Sequence, residues 1–317
     1  MMTEDPPDYE IDLRELFTRL WSAKSLILAF VLFGATVSLV YALSLPNLYR
    51  SSALLSPTEE SGGGIGGMLS QYSGLASIAG VSIPGGEGVS NVRLAMEVLK
   101  SRAFISEFID KHDILPELLA IDYWDIDTRS LEIDKEIYDV ETRTWTREIV
   151  DGRSRAPSKQ EAHTAFTKVL RVSQDTKTNL VTISVQHQSP DIAKQWVKWL
   201  VEDINETMRR KEIKEAEESI EYLKRQAAET ALSDLDQVFF ELMQGQMQRV
   251  MLAQVRREYV LTTIDPAVAP ELKSDPQRSL ICIVGVILGL VFGITSALVK
   301  QYLKKERDEP SIVKSPR

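Results

Sequence analysis

Apolar residues run without a charged interruption in two places, from Ser25 to Tyr49 (centred on Leu26 to Leu45) and from Ser279 to Val299. At 1.5 Å rise per residue, each run is long enough to cross a hydrocarbon core of about 30 Å as one helix. They predict transmembrane helices over 25–45 and 279–299, flanked by short segments at 1–24 and 300–317, with one large region at 46–278 between them. The first apolar core is longer than that of a cleaved signal peptide, and Ala42-Leu43-Ser44 is a poor cleavage site. It therefore reads as an uncleaved anchor.

Between the spans the period of the pattern changes several times. Leu48–Ser56 reads as a strand closed by Pro57. Residues 61–88 hold most of the chain's 16 glycines, a density that disfavours regular structure and predicts a loop. Ile65, Met68, Leu69 and Leu75 make that loop apolar enough to pack on a neighbour or the membrane. Asn91 and Ser101 are placed to cap helices reaching Lys100 and Lys111, with Leu94, Val98, Phe104, Ile105, Phe108 and Ile109 as their buried faces. Weak alternation at 131–137 and 142–149 predicts one small hairpin. Ser158 and Glu161 have capping-box spacing ahead of a helix to about Val169. Asp175–Asn179 separates two strand-like runs, 171–173 and 180–186, as a hairpin turn would.

Ser189 and Pro190 then supply an N-cap and an N1 proline. From Asp191 to Asp265 there is no proline and one glycine, Gly245. The stripe Ile192, Trp196, Trp199, Ile204, Met208 continues through Ile213, Ile220 and Leu223, and a second set follows at Val238, Leu242, Met243, Val250, Met251 and Val255. This predicts a helical extension over about 190–262, with Ser233–Asp236 able to end one helix and cap the next. About forty helical residues would measure roughly 60 Å, more than a compact domain of this size accommodates, so part of the helix must project and its narrow stripe wants a partner. A series of shorter packed helices is the competing arrangement. Pro266, Pro270 and Pro276 predict a stiff extended path into the second span. Within that span Gly285, Gly289 and Gly293 recur every fourth residue, a face for close packing against the first span or a neighbouring subunit. The elements together define an α+β fold.

Charge orients this layout. Lys300, Lys304, Lys305, Arg307, Lys314 and Arg317 follow the second span, and Arg14, Arg19 and Lys24 precede the first. Only Arg50, Lys273 and Arg278 lie close on the other side. The positive-inside rule predicts both termini in the cytoplasm and 46–278 outside it. The net charge of −9 resides in 46–278, which argues against a nucleic-acid partner and against electrostatic docking on anionic lipid. The single cysteine, Cys282, lies within the second span, so the exported region forms no disulfide.

The sequence predicts no catalytic, metal or cofactor site. His112, His163 and His187 have no metal-ligand spacing. Asp125-Ile126-Asp127 and Asp234-Leu235-Asp236 match the Asp-x-Asp of metal-dependent glycosyltransferases, but among 46 acidic residues such matches arise by chance. No phosphate-cradling Gly-x-x-x-x-Gly-Lys-Ser/Thr occurs. Trp124 and Trp145 could stack on sugar rings, although burial in the core is the commoner use of such residues.

The first span ending in Ser44-Leu45-Pro46, the helix start Ser189-Pro190-Asp191-Ile192-Ala193, and Pro266/Pro270/Pro276 leading into a glycine-bearing second span occur in the order found in Wzz-type polysaccharide co-polymerases. The chain resembles this family, the chain-length determinants of lipopolysaccharide O-antigen, over nearly its whole length. The resemblance implies a two-pass inner-membrane protein with a periplasmic domain built on a membrane-proximal α/β base, a long projecting helix and a ring-like homo-oligomer. It also implies a non-enzymatic role, with a Wzy-type O-antigen polymerase as partner and a lipid-linked glycan as the molecule handled. The chain departs from the family in having fewer prolines and in its acidic, aromatic stretch at 112–157. Two other readings stand beside this one: an export adaptor for capsule or exopolysaccharide acting with a separate kinase, and a two-span membrane sensor.

Overall fold

The computed structural model describes residues 23–58, 87–148, 154–229 and 233–308. Most of the glycine-rich stretch, and with it the predicted loop, lies outside these residues. The chain divides into two compact units, Met1–Asn47 with Ser274–Arg317, and Leu48–Lys273. The fold is α+β.

The first unit holds helices α1 (Lys24–Ser44) and α8 (Arg278–Asp308). Both contain a stretch long and apolar enough to cross a membrane, Lys24–Ser44 and Arg278–Lys300. Most of their large apolar side chains, such as Phe33, Val40, Ile287 and Phe292, face outward. Outward-facing apolar surfaces of this kind suit lipid better than water.

The second unit centres on a four-stranded antiparallel sheet of order β6-β7-β1-β8, from β1 (Tyr49–Pro57), β6 (Leu170–Gln174), β7 (Val181–His187) and β8 (Leu261–Asp265). Alternation decides which face is buried: Tyr49, Ser51, Ala53 and Leu55 of β1 point inward. Helices α2 (Glu87–Lys100), α3 (Arg102–His112), α4 (Leu115–Leu119) and α5 (Lys159–Val169) supply Val92, Leu99, Phe104, Phe108, Ile109 and Phe166 to the core or pack beside it. Ser101 caps α3 by accepting the Phe104 N–H, and Ser158 and Glu161 close a complete capping box on α5. Asn91 is not a cap, because α2 already begins at Glu87. Leu94 faces outward instead of into the core.

The acidic segment forms two small hairpins where one was expected. β2 (Ile121–Asp125) pairs with β3 (Ser130–Ile133), and β4 (Tyr138–Asp139) with β5 (Thr144–Trp145). Their turns share a rule with the β6–β7 turn. Asp125, Asp139 and Asp175 each accept the N–H two residues on, a Thr follows at the fourth position, and the fifth residue is left-handed (Arg129 φ 51°, Arg143 φ 53°, Asn179 φ 58°). The Asp side chain mimics a backbone turn, and the left-handed residue returns the chain to the ladder. The Thr hydroxyls and backbone N–H groups hold the Asp125 and Asp139 carboxyls below the usual carboxylate range.

Helix α6 (Pro190–Glu229) runs unbroken for 40 residues, about 60 Å; the series of shorter helices does not form. Its first half crosses the sheet and buries Trp196, Val197, Leu200, Val201, Ile204 and Met208 in the core. Its second half leaves that core and packs along α7 (Ser233–Val255), burying Ala216 and Ile220. The helical extension ends at Val255 and does not reach residue 262. Leu261–Asp265 is a strand because its Thr-Thr-Ile run is β-branched and β1 offers an open edge to pair with. Of the α7 stripe expected to be buried, Val238, Met251 and Val255 are exposed.

Candidate functional site

Four small residues recur every fourth position on α8, Gly285, Gly289, Gly293 and Ala297, and three on α1, Gly34, Ser38 and Ala42. The two rows face each other in antiparallel order. A Cβ at Gly289 would lie 2.7 Å from the Phe30 carbonyl oxygen, one at Gly293 would lie 3.0 Å from Ile27 Cα, and one at Gly34 would lie 2.7 Å from the Gly285 carbonyl oxygen. A Cβ at Gly285 would overlap Ser38. Backbones this close leave no room for a side chain on either helix, which is how helices associate in lipid without a hydrophobic drive between them. Glycine-to-first-span contacts therefore occupy the predicted α8 face within one chain. The α1 row was missed from the sequence, although the four-residue spacing of Gly34, Ser38 and Ala42 was the signal. Where α1 ends and α8 begins, Arg278 donates to Asn47 Oδ1 at 3.1 Å.

Pro266 and Pro270 lie in the extended segment after β8, which is fastened to the body at two points. The Ser51 hydroxyl, buried, donates to the Val268 carbonyl oxygen at 2.8 Å, and Ala267 packs on the core. Pro276 follows in the membrane-helix unit, with a cis bond to Asp275.

The first half of α6 carries the polar groups that fix its position, none of them singled out by sequence reasoning. Asn205 is 2% exposed. Its Oδ1 accepts the N–H groups of Val260 and Leu261 at 2.9 and 3.0 Å, and its Nδ2 donates to the Leu261 and Val201 carbonyl oxygens at 2.9 and 3.1 Å. One buried amide thus satisfies backbone groups at the start of β8. Two residues earlier, and so on another face of the helix, Asp203 receives Lys111 at 2.6 Å and His112 at 2.8 Å. The His112 ring stacks on Trp199 with centroids 4.1 Å apart. Hydrogen bonding to Asp203 raises the Lys111 pKa above its ordinary value.

His187 is used in the same structural way. Its Nδ1 accepts the Ser189 N–H, its Nε2 donates to the Glu117 carbonyl oxygen, and its ring meets the edge of Trp196. Burial lowers its pKa, and one donor and one acceptor suit the neutral ring. Burial raises the Glu117 carboxyl against a smaller opposing effect of the Trp196 indole. His163 lies at the surface of α5, 3.4 Å from the Lys100 carbonyl oxygen. Each histidine is thus in a separate setting, and no group of three or more His, Cys, Asp or Glu side chains suited to a metal occurs among the described residues. Trp124 and Trp145 are half-buried, the latter against Tyr138 at 5.0 Å.

Residues 9–112 match the family model described as Wzz, chain length determinant protein. The resemblance seen in the sequence thus holds at the level of a family model, over the first span, β1, α2 and α3. No curated protein matches the chain. A solved structure described as a full-length bacterial polysaccharide co-polymerase is similar over 94% of this chain and 100% of its own, with 14% identity and a TM-score of 0.39.

Proposed function

We propose that this chain is a non-enzymatic inner-membrane polysaccharide co-polymerase that sets the length of O-antigen or a related surface polysaccharide. The observation that carries the reading is the match of residues 9–112 to the chain-length-determinant family. In this reading both termini are cytoplasmic and the Leu48–Lys273 unit is periplasmic. Several copies assemble as a ring beside a Wzy-type polymerase, and the geometry of the assembly decides when a lipid-linked glycan stops growing. The membrane glycines already pack within one chain, so the ring would be built by the body and by the α6–α7 hairpin. The hairpin supports this role because it leaves Phe240, Met247, Met251 and Val255 uncovered.

Deleting the protein tests the reading. Polysaccharide synthesis should continue while the gel ladder of surface polysaccharide loses its preferred length. Complete loss of polymer would point to an enzyme or exporter, and an unchanged ladder would refute length control. Reporter fusions at Asp8 and Lys314 should both report cytoplasm; a periplasmic Lys314 would overturn the two-pass topology.

A further inference from the structure

The segment that joins β8 to the second span is unusual in what it leaves uncovered. Ile264, Val268 and Leu272 are 53%, 63% and 85% exposed, although large aliphatic side chains this open are normally scattered singly. Here they fall within one short run of chain, and the run is not slack. Ala267 is packed on the core and the Val268 carbonyl is held by Ser51, so the outward placement of Val268 is set by its fixed neighbours.

We infer that this segment is a membrane-interface contact: Val268 and Leu272 rest in the headgroup region of the bilayer that α8 crosses, with Ile264 at its margin. The inference rests on the membrane-spanning reading of α1 and α8 and adds a third, non-spanning point of attachment.

Chain reach favours lipid as the occupant. From Leu272 to Arg278, where α8 begins, fully extended chain covers at most about 20 Å. From Ser44, the last residue of α1, to Ser51, which holds Val268, it covers at most about 24 Å. The segment is thus tethered close to the bilayer from both spans. Chemistry favours lipid over a second copy of the chain. Pro266 and Pro270 lack N–H donors and interrupt any ladder a neighbouring strand would form. Asp265 and Glu271 lie among the aliphatic residues and Lys273 beside Leu272, so the segment has no excess positive charge to draw it to an anionic surface. Shallow contact with a zwitterionic interface lets the carboxylates stay hydrated while the aliphatic groups leave water.

The test uses the full-length protein and its single native cysteine. In a Cys282→Ser background, Leu272→Cys, Val268→Cys, Ile287→Cys and Glu218→Cys are each labelled with an environment-sensitive fluorophore. All four positions are solvent- or lipid-facing, so the label displaces no core packing. The proteins are reconstituted in phosphatidylcholine vesicles with or without doxyl-labelled lipid. The expected result is doxyl quenching at 272 and 268 of the same order as at 287 on α8, protection there from aqueous iodide, and neither effect at 218. Quenching at 287 alone would overturn the inference and leave the span intact. Absence of quenching at 287 would mean that α8 does not cross, and both would fall. A blue shift at 272 that grows with protein density and shows no doxyl quenching would assign the surface to a second copy and refute lipid contact.

Discussion

Replacing Asn205 with Ala removes one amide and breaks four hydrogen bonds at once. The Val260 and Leu261 N–H groups lose the Oδ1 that accepts both, and the Leu261 carbonyl loses its Nδ2 donor. Water cannot easily replace a side chain that is 2% exposed. The Val201 carbonyl also accepts within α6 as a helix carbonyl should, so its loss weighs least. Each buried backbone donor left unpaired costs about 1–3 kcal/mol, and two of them about 2–6 kcal/mol. For a cooperative unit of this size each kcal/mol lowers Tm by about 2–4 °C, so the variant should melt roughly 4–24 °C below the parent.

The assay is intrinsic fluorescence of the purified full-length protein on heating in detergent, read beside Glu206→Ala. Glu206 lies next in sequence, and its link to Lys111 is a surface ion pair of 3.7 Å, so its removal should change stability by no more than about 1 kcal/mol. A drop for Asn205→Ala no larger than that for Glu206→Ala would refute the claim that this amide fastens α6 to β8.

Three other outcomes follow from the same geometry. Gly245 sits inside α7 with open space where a Cβ would be, so Gly245→Ala should raise stability by about 0.4–1 kcal/mol and lift Tm slightly; a lowered Tm would mean the site is covered. His187 has a pKa lowered by burial. The folded state therefore binds fewer protons than the unfolded, and stability is full above the unfolded pKa of about 6.5 and declines as pH falls below it. Glu117, raised by burial, has the opposite sign: its effect favours folding in acid and fades as pH rises through the carboxylate range. His187→Gln should flatten the Tm profile between pH 7 and 5.5, and an unchanged slope would remove His187 as its cause. Met251→Glu with Val255→Glu places charges on exposed positions of α7, so native mass spectrometry should show smaller assemblies while monomer stability holds; unaltered assemblies would move the contact off this hairpin.

The parts of the fold legible from the sequence are those decided by short-range chemistry. Ser101, the Ser158–Glu161 box and Ser189-Pro190 each mark a helix start through bonds spanning a few residues, and the helices begin there. The alternation of Val181, Ile183 and Val185 announces β7 because one face of that strand is buried. β8 could not be read this way. Leu261–Asp265 follows a long helical pattern, and its strand state depends on β1 and Asn205, both remote in sequence. The β2–β3 and β4–β5 hairpins were legible in principle, since Asp-x-x-Thr-Arg occurs at Asp125 and again at Asp139 and a close variant ending in Asn begins at Asp175. Alternation is the weaker signal there, because strands of two to five residues carry too little of it.

The uneven distribution of polar anchors along α6 bears on what the long helix can do. Its first half is held by Asp203 and Asn205, and Arg210 reaches Glu107 on α3 at 3.1 Å. Beyond that point come exposed links such as Lys211–Glu215 and Lys214–Glu218, each worth about 0.3–0.5 kcal/mol, with Arg249–Glu212 at 3.9 Å bridging to α7. Buried amides and charges with specific partners fix one register, because any slip leaves them unpaired. Solvated pairs at helical spacing fix none. The base of the helix is therefore locked to β8, the strand that leads toward the second span, while the distal half depends on a narrow apolar seam with α7. The exposed Met247, Met251 and Val255 beside that seam add stability only when another surface covers them. A helix locked at one end and held at the other by solvated pairs and a narrow seam would gain most order where a further surface covered its distal half.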